Sequence, residues 1–266
     1  LIIIGGGPAG VAAAVYASRK RLKTLFITKE WGGQSVVSEQ IFNWIGTSSI
    51  SGIELANNLK NHVLANVGES LEVKEGNTVD SVSKQDNLFK IKTNDAKEFL
   101  TKTILITTGS GRRKLEAKNA DKLEHKGLVT LLHRSEKFKA DEITVEKVLK
   151  NPKMKAVKNV DILEIKGDKF VEGIIYKDKV TSQETELKVS GIFVEIGQIP
   201  NTSFVKDIVP LDEIKRIKIN PLNQKTEVPG IWAAGDCTDV LYHQNNIATG
   251  DAVRALEDIY LYLYAK

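Results

Sequence analysis

Short apolar runs recur along the chain and predict a buried parallel sheet. Residues 1–4, 24–28, 104–109 and 231–236 are rich in apolar side chains, and three of the first four residues are isoleucine. Such continuous runs are typical of strands that are covered on both faces. Alternating segments within residues 71–93 predict further short strands.

Amphipathic stretches between these runs predict helices. An Ala-rich helix is expected from Val11 to about Lys20, and a last helix is expected to begin just after Gln244. Residues 51–54, Ser-Gly-Ile-Glu, fit a capping box that opens a helix to about Val67. The side chains expected to face the core on that helix are Ile53, Leu55, Leu59 and Val63.

The middle of the chain predicts a smaller lobe over residues 113–190. It contains a short predicted helix at residues 141–150, which Asn151-Pro152 ends, and alternating segments near residues 160–165, 170–176 and 186–189 that predict strands. The alternation of strands and helices favours a layered α/β fold in which this lobe interrupts the larger domain.

A glycine-rich turn follows the first strand and suggests a nucleotide site. Gly5-Gly6-Gly7-Pro8-Ala9-Gly10 matches G-x-G-x-x-G between a strand and a helix, which is the context that the motif needs. Gly5 allows the tight turn, Gly7 lets a pyrophosphate approach the backbone, and Gly10 lets helix and strand pack closely. The phosphates would then lie at the helix N-terminus.

The acidic residue that usually completes this motif is displaced. An Asp or Glu about 20 residues on normally binds a ribose hydroxyl, but the second strand here ends at Thr28, and Glu30 lies two residues beyond it. We therefore expect the Thr28 hydroxyl and nearby backbone to hold the ribose.

Several further motifs occur in a family's order. They are ILITTGS at 104–110, IWAAGDC at 231–237, Gly32-Gly33-Gln34, Phe42-Asn43-Trp44, the segment Gly197–Thr202, and Tyr242-His243-Gln244. Together with the glycine turn, this set resembles the low-molecular-weight thioredoxin reductases, which belong to the flavoproteins with two dinucleotide-binding domains. The resemblance covers most of the chain.

The resemblance implies an α/β fold in which an FAD-binding Rossmann-like domain is interrupted by a truncated second nucleotide-binding lobe. The implied domains are residues 1–112 and 191–266 for FAD and residues 113–190 for the remnant of the NAD(P)H domain. The residues that match the family's FAD contacts are Gly5, Gly7, Pro8, Ala9, Gly10, Thr28, Gly33, Gln34, Asn43, Thr108, Gly109, Gly235, Asp236, Gln244, Asn245 and Asn246.

Within that set, Asp236 is implied to bind the ribityl chain, and capping of a local turn is the alternative. Gln244, Asn245 and Asn246 are implied to lie near the pyrimidine edge of the flavin, where a helix N-terminus and amide donors stabilise the negative charge of the reduced ring.

Two parts of the family pattern are absent. No second G-x-G-x-x-G follows residue 10, and the chain has a single cysteine, Cys237, so an intramolecular redox disulfide cannot form. About 30 or more residues of a βαβ unit are missing between Leu128 and Val129. The remaining basic segment, with Arg134, Lys137 and Lys139, resembles the loop that binds the adenosine phosphate of NADPH. Ser135 replaces a frequent second Arg, so NADPH and NADH both stay open.

Three explanations of the gap remain open. A stretch of the natural protein is missing from this chain, by engineering or by omission. Alternatively, the chain is a natural or designed minimal flavoprotein. In the third explanation the protein is unrelated and its motifs are coincidental.

Composition narrows the class of protein. A hydrophobic content of 41% and a charged content of 27% are ordinary for a globular protein. The net charge of +4 comes from scattered lysines, so nucleic acid is not an expected partner, and no apolar stretch predicts a membrane span. One cysteine fits a reducing cytoplasm. The chain begins inside its first strand, from which we expect that a short natural N-terminus has been trimmed.

The expected function is an FAD-dependent oxidoreductase that resembles thioredoxin reductase. The resemblance implies electron flow from NADPH or NADH to FAD and on to a thioredoxin-like disulfide protein, within a homodimer. Full turnover by this chain is not expected, because the redox cysteines are missing, and no residue is assigned as catalytic. The alternatives are another acceptor, as in ferredoxin–NADP reductases, or a minimal FAD-binding module without turnover. No metal is expected, since the four histidines lack ligand spacing.

Overall fold

The computed structural model describes residues 1–112, 129–140 and 142–264. These residues form two compact units. The first contains Leu1–Gly111 and Gln198–Lys266, and the second contains Arg112–Gly197. The predicted division into an FAD-binding domain (residues 1–112 and 191–266) and an NAD(P)H-domain remnant (residues 113–190) stays a prediction.

The elements of the first unit follow in chain order. They are β1 (Ile2–Ile4), α1 (Pro8–Arg19), β2 (Thr24–Thr28), α2 (Gly52–Leu64), β3 (Leu71–Glu75), β4 (Val79–Gln85), β5 (Leu88–Thr93), β6 (Glu98–Thr101), β7 (Ile104–Ile106) and β8 (Ser110–Arg112), whose last residue opens the second unit. The second unit continues with β9 (Thr130–His133), α3 (Glu142–Leu149), β10 (Lys155–Lys158), β11 (Val160–Gly167), β12 (Val171–Asp178) and β13 (Glu184–Lys188). The first unit resumes with β14 (Gln198–Pro200), β15 (Ile231–Ala233) and α4 (Asn245–Tyr264).

A five-stranded parallel sheet forms the centre of the first unit, in the order β15-β7-β1-β2-β3. Ile2 of β1 pairs with Leu25 of β2 on one side and with Ile104 of β7 on the other. Ile231 of β15 also pairs with Ile104. The four runs that the sequence predicts as buried strands are therefore neighbours, and their carboxyl ends meet at one edge of the sheet.

The sheet buries both faces because side chains alternate along each strand. Ile3, Phe26, Leu105 and Trp232 pack in a core that includes residues of α1, α2 and α4. Ile2, Ile4, Ile104 and their neighbours pack on the other face, against residues of the antiparallel β4-β5-β6 sheet and the segment around residues 204–219. This double burial explains the continuous apolar runs.

The second unit has its own small core. β9 and β10 pair in parallel with α3 between them in the chain, and β11-β12-β13 form an antiparallel sheet. Ile165, Val171 and Ile174 are the buried centre of this core. The segment before Val129, where the family's missing stretch is expected, lies outside the described residues.

Candidate functional site

The site lies where the strand order reverses in the central sheet. From β1 the chain runs to β2 and β3 on one side, whereas β7 and β15 lie on the other. In open parallel α/β sheets, ligands bind at this switch point, beyond the carboxyl ends of the strands. A cleft of about 680 Å³ opens there, within the first unit.

Twelve of the predicted FAD-contacting residues line this cleft. They are Gly5, Gly7, Pro8, Ala9, Thr28, Gly33, Gln34, Thr108, Gly109, Gly235, Asp236 and Asn245. Gly10, Asn43, Gln244 and Asn246 do not line it. The cleft therefore brings together predicted residues that lie up to 240 positions apart (Gly5 to Asn245) in the sequence.

The glycines of the turn have different physical roles. A Cβ at Gly5, where φ is +117°, would collide with the carbonyl oxygen of Thr107. A Cβ at Gly10 would collide with the carbonyl oxygen of Gly5. Chain packing thus accounts for both residues, as expected for the tight turn and the close helix.

Gly7 has no such internal explanation. Its φ of −76° suits any residue, and a Cβ built there meets no heavy atom of the described chain within 4 Å. Gly7 is also the N-cap of α1, Pro8 follows at the first helical position, and no side chain caps the helix. The backbone N–H groups at this helix start are therefore available to an anion in the cleft. A bare backbone beside free donors fits the pyrophosphate of FAD.

Thr28 is committed to a hydrogen bond within the protein. Its hydroxyl donates to the carbonyl oxygen of Glu30 at 2.6 Å, and the residue is buried. Its oxygen keeps acceptor capacity, but its proton is used. Glu30 is exposed and lines the same end of the cleft, so its carboxylate is a second candidate for the ribose hydroxyls.

Several lining residues at this end were not predicted from the sequence. Asn77, Thr78 and Asp80 follow β3 and line the cleft, and the backbone N–H of Asn77 donates to the carbonyl of Thr28 at 3.2 Å. These residues could have been predicted as part of the site, because β3 is a parallel neighbour of β2 and its carboxyl end must lie at the same edge of the sheet. Asn201, Ser203 and Phe204 were also missed.

Asp236 faces the cleft as a half-buried acid. Burial raises the pKa of its carboxyl, and His243 partly opposes this. No donor in residues 1–112, 129–140 or 142–264 bonds its carboxylate, whereas Thr238 donates its hydroxyl to the Gly235 carbonyl at 2.7 Å and so closes the local turn. The turn therefore needs no cap from Asp236, and the carboxylate is available to a ligand.

The amides predicted at the flavin edge divide into two groups. Asn245 lines the cleft and accepts a hydrogen bond from the Ser35 hydroxyl at 3.0 Å. Gln244 and Asn246 each form a hydrogen bond with Asn43 instead, and Asn43 lines a second, shallower cleft of about 530 Å³.

Cys237 is buried and lies beneath the cleft. Burial raises the pKa of its thiol to about 11, and the thiol contacts the carbonyl oxygens of Ile106 and Ala234. A thiol in this state is a packing residue, since the thiolate is the reactive form.

The predicted nucleotide remnant lies in the second unit. Arg134, Lys137 and Lys139 are exposed in the segment that follows β9, and the Phe138 ring packs 4.8 Å from the His133 ring. Among the described residues, no group of three or more His, Cys, Asp or Glu side chains is placed to hold a metal. Within the same part of the chain, no helix is long and apolar enough to cross a membrane.

The fold and the cleft define an α/β dinucleotide-binding protein. The family model of pyridine nucleotide-disulphide oxidoreductases matches residues 1–142 and 117–252, so the chain belongs to that family. Membership makes it an oxidoreductase and implies FAD and a pyridine nucleotide. It also excludes the explanation that the motifs are coincidental.

Solved structures and curated relatives agree with this assignment. Thioredoxin reductase of Lactococcus lactis is 28% identical, with a TM-score of 0.91 over 100% of this chain and 99% of that one. An NADH dehydrogenase of Bacillus subtilis and an alkyl hydroperoxide reductase component of Staphylococcus epidermidis are each 29% identical over 99% of this chain. The chain spans 58% and 59% of those two relatives. Their alignments run over 301 residues, so at least 35 positions have no counterpart in this chain of 266.

Proposed function

We propose that the chain is the FAD-binding oxidoreductase part of a thioredoxin-reductase-like protein. In the intact protein, NAD(P)H supplies a hydride and a thioredoxin-like disulfide protein receives two electrons. FAD, when bound, supplies the two-electron chemistry, and the protein positions and tunes it. The membership of the family supports this proposal, as does the geometry of the cleft.

Each part of the cleft has a proposed role. The turn from Gly5 to Gly10 and the start of α1 hold the pyrophosphate. Thr28 and Glu30 lie at the adenosine ribose, and Asp236 accepts hydrogen bonds from the ribityl hydroxyls. Gln34 and Asn245 lie at the flavin end, where the N-terminus of α4 favours negative charge.

The observation that carries this proposal is the open space at Gly7. Its position needs no glycine for backbone conformation or for packing, yet a side chain there would project into the cleft beside free N–H donors. A ligand that approaches the backbone closely gives this glycine a reason.

Replacing Gly7 by Val tests the proposal. We expect the variant to fold, because the added side chain meets open space, but FAD affinity should fall by at least about tenfold, or ~1.4 kcal/mol. Fluorescence titration with FAD measures the affinity, and thermal unfolding of the apoprotein measures stability.

Gly68→Val is the matched control. Gly68 is exposed, and a Cβ there also meets no heavy atom within 4 Å, but it lies outside the cleft. This variant should bind FAD like the parent. Equal FAD affinity in the Gly7→Val and Gly68→Val variants would overturn the proposed cofactor site.

In a second candidate function, the electrons pass to an acceptor other than a disulfide protein. The single, buried cysteine favours it, because an internal relay disulfide is not available to this chain. The protein then resembles ferredoxin–NADP reductases in its acceptor, or is a minimal FAD-binding module. A protein that binds FAD and reduces a ferredoxin or a dye, but no disulfide protein, would select this function.

The remaining features of the intact protein belong to the same proposal. We propose that Arg134, Lys137 and Lys139 contact the adenosine phosphate of NADPH, that NADH is the alternative donor, and that the protein is a cytoplasmic homodimer. Its single cysteine supports the reducing compartment.

A further inference from the structure

We propose that Asn43, Gln244 and Asn246 act as a clamp that fixes the loop Gln40–Asn43 beside the flavin end of the cleft. In this role they position the loop. The inference rests on the proposed function, because it assigns these amides a task at the FAD site.

Two hydrogen bonds form the clamp. The Asn43 side-chain amide donates to the Gln244 side-chain oxygen at 3.0 Å, and the Asn246 side-chain amide donates to the Asn43 backbone oxygen at 2.7 Å. Asn43 thus bonds through both its side chain and its backbone. Both partners lie at the start of α4, which the Gln244 carbonyl opens by accepting from the Ala248 amide at 2.9 Å.

The loop has a first attachment at Ile41, in the core. Ile41 exchanges two backbone hydrogen bonds with Ile50, and both side chains are buried in the core. Beyond Ile41 the chain leaves the core, since Phe42 is 70% exposed and Ile45 is 80% exposed. Between these exposed apolar side chains, the clamp ties Asn43 to α4.

The clamped loop forms one wall of the second cleft. Residues 40–43 line it together with Gln34, Ser35, Ser38 and Asn245. Gln34, Ser35 and Asn245 also line the main cleft, so the two spaces adjoin at the proposed flavin end. The position of the loop therefore sets how far solvent and an acceptor can reach the ring.

Isosteric acid substitutions separate a clamp from direct cofactor contact. Asn43→Asp keeps a pair, because the Gln244 amide can turn and donate to the new carboxylate. Gln244→Glu also keeps a pair, because Asn43 still donates. The double variant has two acceptors and no donor, so it loses the bond and adds repulsion between like charges.

The first measurement needs no cofactor. Hydrogen–deuterium exchange of the apoprotein, read by mass spectrometry on peptides covering residues 40–47, should be near the parent in each single variant. It should be faster by about tenfold in the double variant. Asn57→Asp with Asn58→Asp adds the same charge on the exposed face of α2 and should leave this exchange unchanged.

The second measurement uses bound FAD. Quenching of its fluorescence by acrylamide, a neutral probe, should increase in the double variant and stay near the parent in the single variants. If each single variant alone matches the double in exchange and quenching, or if the double exchanges like the parent, the clamp is wrong. A parent that binds no FAD would overturn the proposed function, and the exchange data would then still decide whether the clamp exists.

Discussion

At the scale of single residues, the cleft contains an acid, Asp236, whose charge the folded chain compensates only in part. Burial raises the pKa of Asp236, and within the described residues no donor bonds its carboxylate. Unpaired, half-buried charges of this kind cluster at functional sites, where a ligand completes them. The carboxylate should therefore affect both the affinity for the cofactor and the stability of the apoprotein.

Asp236→Ala should weaken FAD binding. The substitution removes the proposed acceptor for the ribityl hydroxyls, which should cost about 1–3 kcal/mol of FAD affinity. Titration of apoprotein with FAD measures this. An Asp236→Ala protein that retains FAD as tightly as the parent would show that the carboxylate does not bind the cofactor.

Asp236→Asn should stabilise the apoprotein in a pH-dependent way. Because the folded-state pKa is raised above the ordinary value of 3.8, the charged form disfavours folding. The gain from Asn should be absent below about pH 3.8, grow as pH rises through the folded-state pKa, and stay constant above it. Denaturant unfolding of parent and variant at a series of pH values measures the difference. A gain confined to acidic pH would contradict this account.

Cys237 should be inert in the native protein. Its thiol is fully buried, and its pKa of about 11 keeps it protonated near neutral pH. We expect no reaction with a thiol reagent such as DTNB in the folded state and one equivalent after unfolding in guanidinium. Rapid native labelling would reopen a redox role for this residue.

At the scale of elements, the start of α2 shows how sequence chemistry fixes a helix boundary. The Ser51 hydroxyl accepts a hydrogen bond from the Glu54 amide at 3.1 Å, as the capping box predicts. Ser51→Ala should therefore lower the free energy of unfolding by about 1 kcal/mol. Urea unfolding measures the loss, and Ser48→Ala, at an exposed position just before the helix, should lose much less.

The same helix shows where sequence patterns fail. Leu55, Leu59 and Val63 are buried as predicted, but Ile53 is 63% exposed and Ala56 is buried in its place. The spacing of apolar residues predicts which face of a helix is buried. The segment that packs against the helix decides which residues at the border of that face are covered. Ala56 lies beside Gly32, where a larger side chain would not fit. That contact joins residues far apart in sequence, so periodicity does not predict it.

In the cleft, too, the sequence predicts some features and not others. The glycine turn and the strand ends were predictable, because their spacing is local and the carboxyl ends of parallel strands share one edge. The bonds among Asn43, Gln244 and Asn246 were not, because they depend on how a loop meets a helix about 200 residues later. Sequence motifs place residues near a site, and only packing decides which of them face it.

At the scale of the whole molecule, the positions that this chain lacks relative to its relatives should limit turnover. We predict that the 266-residue chain keeps FAD binding but shows negligible NADPH-dependent disulfide reduction. The sequence contains no second G-x-G-x-x-G turn that would hold a pyrophosphate near Arg134 and Lys139, and Cys237 is its single cysteine, so it has no partner for a disulfide within the chain.

Stopped-flow bleaching of the flavin by NADPH, followed by thioredoxin-coupled thiol release, measures this turnover. Insertion of the corresponding segment of a full-length relative between Leu128 and Val129 should restore both steps. Fast bleaching and thiol release by the chain without the insertion would refute the prediction.

The strand order of the central sheet also constrains how the protein folds during its synthesis. β7 gains its outer neighbour only when Ile231–Ala233 pairs with it, and the Ala234 amide then donates to the Ile106 carbonyl at 2.9 Å. During synthesis the ribosome must release the entire second unit before that strand emerges, and until then β7 is an open edge. Asn245, which lines the cleft, emerges later still. The cleft therefore cannot form until the residues that follow β15 have emerged, and a protein truncated anywhere before β15 would leave the ribosome with an unpaired, aggregation-prone strand and no finished cleft.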